Sequence, residues 1–97
     1  MSIAWRVEAL DSNSYRFFNF SGSVADEVRI DDSRADEPIV IPGPIDFVIG
    51  TNSFDHALGP GEYSISWRST TGATHENQSA SFTVPITGAG SALLETS

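Results

Sequence analysis

Apolar and polar residues alternate one by one through most of this chain, and a period of two marks strands that bury one face. Ile3, Trp5, Val7 and Ala9 alternate with Ala4, Arg6, Glu8 and Leu10, and Asp11-Ser12-Asn13-Ser14 supplies the turn that ends this first strand. Tyr15 to Phe20 is a second strand, closed by Ser21-Gly22-Ser23. In a third, Val24 to Ile30, Val28 and Ile30 share a face while Asp26 and Glu27 interrupt the apolar content. A charged connection, Asp31 to Glu37, leads to Ile39, Val40 and Ile41. These lie between Pro38 and Pro42, so the run is expected at a sheet edge, where missing N–H donors are tolerated. Ile45, Phe47 and Ile49 alternate with Asp46 and Val48 in a fifth strand. Tyr63, Ile65 and Trp67 alternate with Ser64, Ser66 and Arg68 in a sixth, and Phe82, Val84 and Ile86 with Ser81, Thr83 and Pro85 in a seventh. No stretch keeps a helical period long enough to compete.

About seven strands at roughly ten-residue spacing, separated by Gly, Pro, Asn, Asp and Ser, predict an all-β fold: an antiparallel two-sheet sandwich, with a small barrel as the next choice. A chain of 97 residues has room for one such domain, assigned to residues 1–86. Residues 87–97 include Gly88-Ala89-Gly90-Ser91 and are expected to form a flexible tail whose apolar element is Leu93-Leu94.

Leu58, Pro60, Gly61 and Tyr63 match an L-x-P-G-x-Y pattern. This segment resembles the tyrosine corner of immunoglobulin-like and fibronectin type III-like domains, and the similarity runs from Phe54 to Val84. The resemblance implies that the Tyr63 hydroxyl bonds back to the backbone a few residues upstream and fixes the crossing between the two sheets. It implies a fold and leaves function open, because such sandwiches serve many purposes. Tyr63 to Ser69, Gly72 and Phe82-Thr83-Val84 are also similar to the C-terminal half of periplasmic copper-resistance sandwich domains. In that family an Asp-Gly-His segment after the tryptophan strand, with an N-terminal histidine, holds the metal. Here the segment reads Thr71-Gly72-Ala73-Thr74-His75, so the acidic ligand is missing and the histidine is displaced.

Charge narrows the partners. The chain carries a net charge of −8, and all five of its cationic side chains are arginine. Nucleic-acid binding depends on neutralising phosphates with Lys and Arg, so a nucleic-acid partner is not expected. There is no cysteine, which removes disulfides, thiolate nucleophiles and thiolate metal sites. The first residues lack a signal-peptide pattern and no apolar run is long enough to span a bilayer. The expected setting is therefore the cytoplasm or a virion, without a membrane partner. Two glycosylation sequons, at Asn19 and Asn77, are read as chance matches.

Candidate chemistry is thin. His56 and His75 are the only imidazoles, and they flank the strand from Tyr63 to Ser69. At about 3.3 Å per residue they are expected roughly 20 Å apart, too far for a shared metal or a catalytic pair. No serine sits in a G-x-S-x-G elbow, and the acids next to the histidines, Asp55 and Glu76, point away from them on an extended chain. Catalysis and a cofactor are not expected. The acids between Asp26 and Glu37 suggest calcium, yet they form no D-x-D-x-D-G loop, and Arg29 and Arg34 stand among them as pairing partners.

Aromatic residues give the sharpest functional hint. Tyr15 and Phe17 fall on one face of the second strand and Phe18 and Phe20 on the other, so both faces are apolar; Phe47-Val48-Ile49 repeats this more weakly. A strand of a two-layer sandwich buries one face, so the second must be covered by a loop such as Asn52 to Gly61 or by another chain. Tyr15, Phe17, Phe18, Phe20 and Phe47 are the candidate interface. The expected function is a non-catalytic module for protein binding or self-assembly, such as a phage head decoration or tail accessory protein. The alternatives are a copper or calcium carrier and an acidic inhibitor of a nucleic-acid enzyme.

Overall fold

A computed structural model describes residues 3–11, 13–71, 73–86 and 90–96. Its strands are β1 (Ile3–Ala9), β2 (Ser14–Asn19), β3 (Val24–Asp32), β4 (Ile39–Val40), β5 (Ser53–Ala57), β6 (Gly61–Thr71), β7 (Thr74–Val84) and β8 (Ser91–Glu95). They form two four-stranded sheets, ordered β5-β2-β1-β8 and β4-β3-β6-β7, and every pairing is antiparallel. The predicted two-sheet sandwich is therefore the observed fold, and its arrangement is compatible with an immunoglobulin-like domain. No helix is present among the described residues, so none is long and apolar enough to cross a membrane.

The period of two places the core. Trp5, Val7, Tyr15 and Phe17 point inward from the first sheet, and Val28, Ile30, Tyr63, Ile65, Trp67, Ala80, Phe82 and Val84 from the second. Aromatic rings run through the interior from end to end. Trp67 meets Trp5 edge-on at 5.7 Å, Trp5 meets Phe54 at 5.8 Å, Phe54 stacks on Phe17 at 4.8 Å, and Phe17 meets Phe82 at 5.6 Å. Each contact adds directional attraction to area burial, and the first and last of them tie the two sheets together.

Four elements depart from the sequence expectation. In β3 the alternation slips, because Ala25 and Val28 are both fully buried although three positions apart. A bulge between Asp26 and Arg29 absorbs the extra residue, with Glu27 in the left-handed region at φ 49°. The expected fifth strand, Ile45 to Ile49, is a loop that keeps one bridge, Ala25 to Ile45, before Thr51 bonds back to the Val48 carbonyl. The strand beside β2 is instead β5, whose polar sequence hides it: as an edge strand it half-buries Phe54 and keeps Asp55 outside. Finally, residues 91–95 of the expected flexible tail form β8, which pairs with β1 and buries Leu94 to 5% exposure. By covering the edge of β1 this strand satisfies backbone groups that no other element reaches. The prolines around Ile39 and Val40 act as expected, and β4 is a two-residue strand at the sheet edge.

Candidate functional site

The second strand decides what the first sheet shows to its surroundings. β2 runs antiparallel between β1 and β5, so its side chains alternate strictly between core and outside. Tyr15 and Phe17 are 2% and 0% exposed, packed in the core. They leave the candidate interface, because the inward face of β2 is the one that meets the second sheet. Phe18 and Phe20 point outward, stacked on each other at 6.1 Å, and Phe20 is 44% exposed.

Register builds the surface around them. Across the first sheet Ser53, Phe18, Arg6 and Leu93 form one row, and Asp55, Arg16, Glu8 and Ser91 form the next. Leu93 is 59% exposed, so the strand expected to be a tail adds an apolar side chain to the same face as Phe18. The second row is charged. Arg16 grips Asp55 through two bonds of 2.7 and 3.0 Å, and Arg6 reaches Glu8 at 3.1 Å. The Arg16 guanidinium holds the Asp55 carboxyl below the usual carboxylate range, first through the hydrogen bond and then through its charge. The loop from Asn52 to Gly61, one of the two covers expected for this patch, does not cover it: its Ser53–Ala57 portion lies beside β2 in the plane of the sheet as β5.

A second group of exposed apolar residues leaves from the end of the same strand. Asn19 is 1% exposed, and its amide nitrogen donates to the carbonyls of Ser23, Ile45 and Asp46 at 2.9, 3.1 and 3.2 Å. Its side-chain oxygen accepts from the Ser21 amide and hydroxyl, and its backbone N–H donates to the Asn52 carbonyl. One buried amide thus anchors three chain segments. It also takes the Asp46 carbonyl, and it shares the Ile45 carbonyl with the Ala25 N–H of the one bridge that remains. Phe47, Val48 and Ile49 follow directly and are 45%, 54% and 89% exposed. The sequon at Asn19 is spent in this network, since its amide nitrogen is buried and fully engaged.

At the opposite end of the sandwich the corner residues have the predicted geometry. The Tyr63 hydroxyl donates to the Gly59 carbonyl at 2.7 Å, and Leu58 is buried at 5% exposure with its N–H on the Asn13 carbonyl. Arg34 covers Pro60 and Gly61: its guanidinium donates to the Pro60 carbonyl at 2.8 Å and lies where a Gly61 side chain would sit. Asp32 holds Arg34 in place at 3.2 Å, and the bond depresses the Asp32 carboxyl.

Neither histidine is part of a larger site. His56 pairs with Tyr15 in the first sheet and bonds the Ala57 carbonyl, whereas His75 pairs with Thr70 in the second and bonds its hydroxyl. Tyr15 lies toward the Tyr63 end and Thr70 toward the Asn19 end, so the two imidazoles stand at opposite ends as the spacing predicts. Of the acids between Asp26 and Glu37, Glu27 pairs with Arg68 at 3.6 Å and Asp32 with Arg34. Among the described residues no group of three or more histidine, cysteine or carboxylate side chains is placed to hold a metal. Gly72, within the Thr71 to His75 segment, lies outside the described residues.

The surface that stands out is therefore the outer face of the first sheet, with Phe18, Phe20 and Leu93 beside paired charges, and the Phe47 loop leaving the adjacent hub. Leu93, expected in a flexible tail, and Asn19, read only as a chance sequon, are the members whose place here the sequence did not give. Comparison of the chain with known protein families, with curated proteins and with solved structures finds no match.

Proposed function

We propose that this chain is a non-catalytic module of immunoglobulin-like, fibronectin type III-like design that works by binding protein, either a different partner or copies of itself. Strand order supports the finer fold reading: β1, β2 and β5 share one sheet, β3, β4, β6 and β7 share the other, and the tyrosine corner opens β6.

The observation that carries the functional reading is the outward aromatic pair, Phe18 and Phe20, on a sheet face where neighbouring side chains are charged and already paired. Apolar area left in water gains free energy when another surface covers it, at about 25 cal/mol per Å². Aromatic side chains concentrate that gain at few positions, while the surrounding charges favour correct orientation over raw affinity. The Phe47 to Ile49 loop extends the contact area with three more exposed apolar residues. Assembly on a larger particle, as in a head decoration or tail accessory protein, is the form of this reading in which a small sandwich with one sticky face is most useful.

The test is the mass of the chain in solution and on any particle that it joins. Wild-type protein is expected to run above the mass of one chain or to co-sediment with its particle, and a Phe18→Ser/Phe20→Ser variant is expected to lose that association while keeping its thermal midpoint. Wild-type protein that is monomeric at all concentrations and joins no particle would refute the reading. So would association that survives the double substitution unchanged.

A further inference from the structure

We infer that the partner of the outer face of the first sheet is a second copy of this chain, turned over about a two-fold axis that runs along the strands between β1 and β2. This rests on the self-assembly half of the functional reading and gives that contact a register.

The first observation is the order of side chains across the sheet. From β5 to β8 one outward row reads Asp55, Arg16, Glu8, Ser91, and the next reads Ser53, Phe18, Arg6, Leu93. A two-fold contact uses the same patch on both copies, so every pairing is met again in reverse. Turning the sheet over about this axis lays β2 on β1 of the second copy, and β5 on its β8. Arg16 then faces Glu8 of the second copy, and Glu8 faces its Arg16. Asp55 faces Ser91, Leu93 faces Ser53, and Arg6 faces the ring of Phe18, where a cation is attracted to the aromatic face. No like charges meet. Glu95, the remaining outward charge on these strands, lies four residues along β8 from Ser91, so it stands about 13 Å from the Asp55 that Ser91 faces. The complement of this pattern is the same pattern reversed, and a second copy carries it by construction.

The second observation is which donors and acceptors stay open. Arg16 holds Asp55 through Nε and Nη2, which fixes its guanidinium and leaves Nη1 outside the fork. Arg6 takes Oε2 of Glu8, which leaves Oε1 outside that pair. These four side chains are 33% to 49% exposed, so the open atoms are within reach of a docked surface. A bond from Nη1 of Arg16 to Oε1 of Glu8 across the axis joins the two lateral pairs into one chain, Asp55 to Arg16 to Glu8 to Arg6. Because Asp55 already orders Arg16, little side-chain freedom is lost when the contact forms. An axis across the strands would set Arg16 on Phe18 instead and leave this ordered donor without a carboxylate to meet.

Net charge permits the contact. The face carries two of the five arginines but three of the thirteen carboxylates, so most of the charge of −8 lies elsewhere and repels least in this orientation.

Analytical ultracentrifugation of the full chain over a range of concentrations decides the matter. The wild type is expected to pass from one chain mass to two. Arg16→Glu puts a carboxylate opposite Glu8, and Glu8→Arg puts a guanidinium opposite Arg16, each of them twice across the axis. Each variant alone is expected to stay at one chain mass where the wild type dimerises, a rise of about tenfold or more in dissociation constant. An equimolar mixture of the two is expected to regain the dimer mass, because in a mixed pair both contacts join opposite charges. Ser91→Lys puts a cation opposite Asp55 and is expected to tighten the dimer several-fold, a gain that misfolding cannot imitate. Glu8→Arg also makes the chain less acidic, so stronger association in that variant would show that net repulsion governs the contact, and would overturn the inference. So would a mixture that stays at one chain mass while the wild type dimerises, an Arg16→Glu protein that dimerises like the wild type, or a Ser91→Lys protein that gains nothing. A wild type that is monomeric at every concentration, yet joins a particle through Phe18 and Phe20, would overturn the inference and leave the functional reading standing.

Discussion

The two ends of the sandwich are held by different kinds of bond, and they differ in how far apart in sequence the partners lie. At one end Tyr63 donates to Gly59, four residues upstream. At the other, Asn19 reaches Ile45 and Asp46 across separations of 26 and 27 residues. The corner fixes a local crossing with one hydroxyl, and the chain around it is largely set by Pro60 and by the φ of Gly61. The Asn19 hub adds its distant bonds to local ones with Ser21 and Ser23. Its buried amide reaches three carbonyls at once, sharing Ile45 with the Ala25 N–H and Ser23 with the Ser21 hydroxyl, so the turn at Asp46 is what rests on this one side chain. Single-residue hubs are therefore the more fragile device, although motif reading finds the corner first.

The largest expected effect follows directly. Asn19→Ala leaves the Asp46 carbonyl without its donor and the Ser21 N–H without its acceptor, and a buried group left unsatisfied costs roughly 1–3 kcal/mol, so a loss of about 3 kcal/mol is expected in urea unfolding. Tyr63→Phe removes one hydrogen bond at a half-buried site and is expected to cost about 1 kcal/mol by the same measurement. A Tyr63→Phe loss equal to or above that of Asn19→Ala would break the ranking of the two ends.

Acid separates the ends in another way. The corner end carries Asp32, whose carboxyl is held below its usual range first by the Arg34 side chain and then by the Arg34 backbone N–H. A carboxyl lowered in the folded state binds fewer protons there than in the unfolded chain, so its contribution is complete above the ordinary carboxylate value. That contribution is lost as pH falls through the depressed folded value. The Asp55 pair with Arg16 follows the same sign. Urea midpoints measured from about pH 5 down to about pH 2 should therefore fall less in Asp32→Asn and Asp55→Asn than in the wild type. The amide-to-carbonyl bonds of Asn19 do not titrate, so its contribution relative to Asn19→Ala should stay constant over that window.

The smallest expected stability effect falls on the outer face. Phe20→Ser changes a side chain that is 44% exposed, so the unfolding midpoint should move by no more than about 0.5 kcal/mol. Association through this face should nevertheless be lost, as gel filtration or co-sedimentation would show. A large stability loss would mean that Phe20 belongs structurally with the Asn19 hub from which it leaves.

Much of this was legible in the chain. The period of two gave the inward set of β6, the proline pair gave the β4 edge, and the L-x-P-G-x-Y pattern gave the corner, because each is a relation among residues a few positions apart; in β1 a register shift after Ile3 buries Ala4 beside Trp5. Misread elements share the opposite property. The Ile45 to Ile49 alternation is a good strand pattern, but the chain leaves the ladder after one bridge, where the Asn19 amide takes the Asp46 carbonyl. The glycine-rich segment after Ile86 looks like a tail, but Leu94 finds a place in the core opposite Trp5, its partner near the other terminus. β5 has almost no apolar signature, because an edge strand needs only one half-buried anchor, Phe54.

By itself, then, the sequence determined the class of fold, the alternation within β2 and β6, and the acidic charge. Tertiary structure alone decided that Phe18 and Phe20 face outward while Tyr15 and Phe17 face in, that Leu93 joins that outer face, and that Asn19 ties three segments. The reason is physical. Local alternation fixes which side chains share a face but is symmetric between the two faces, and only packing against the other sheet chooses which one is buried.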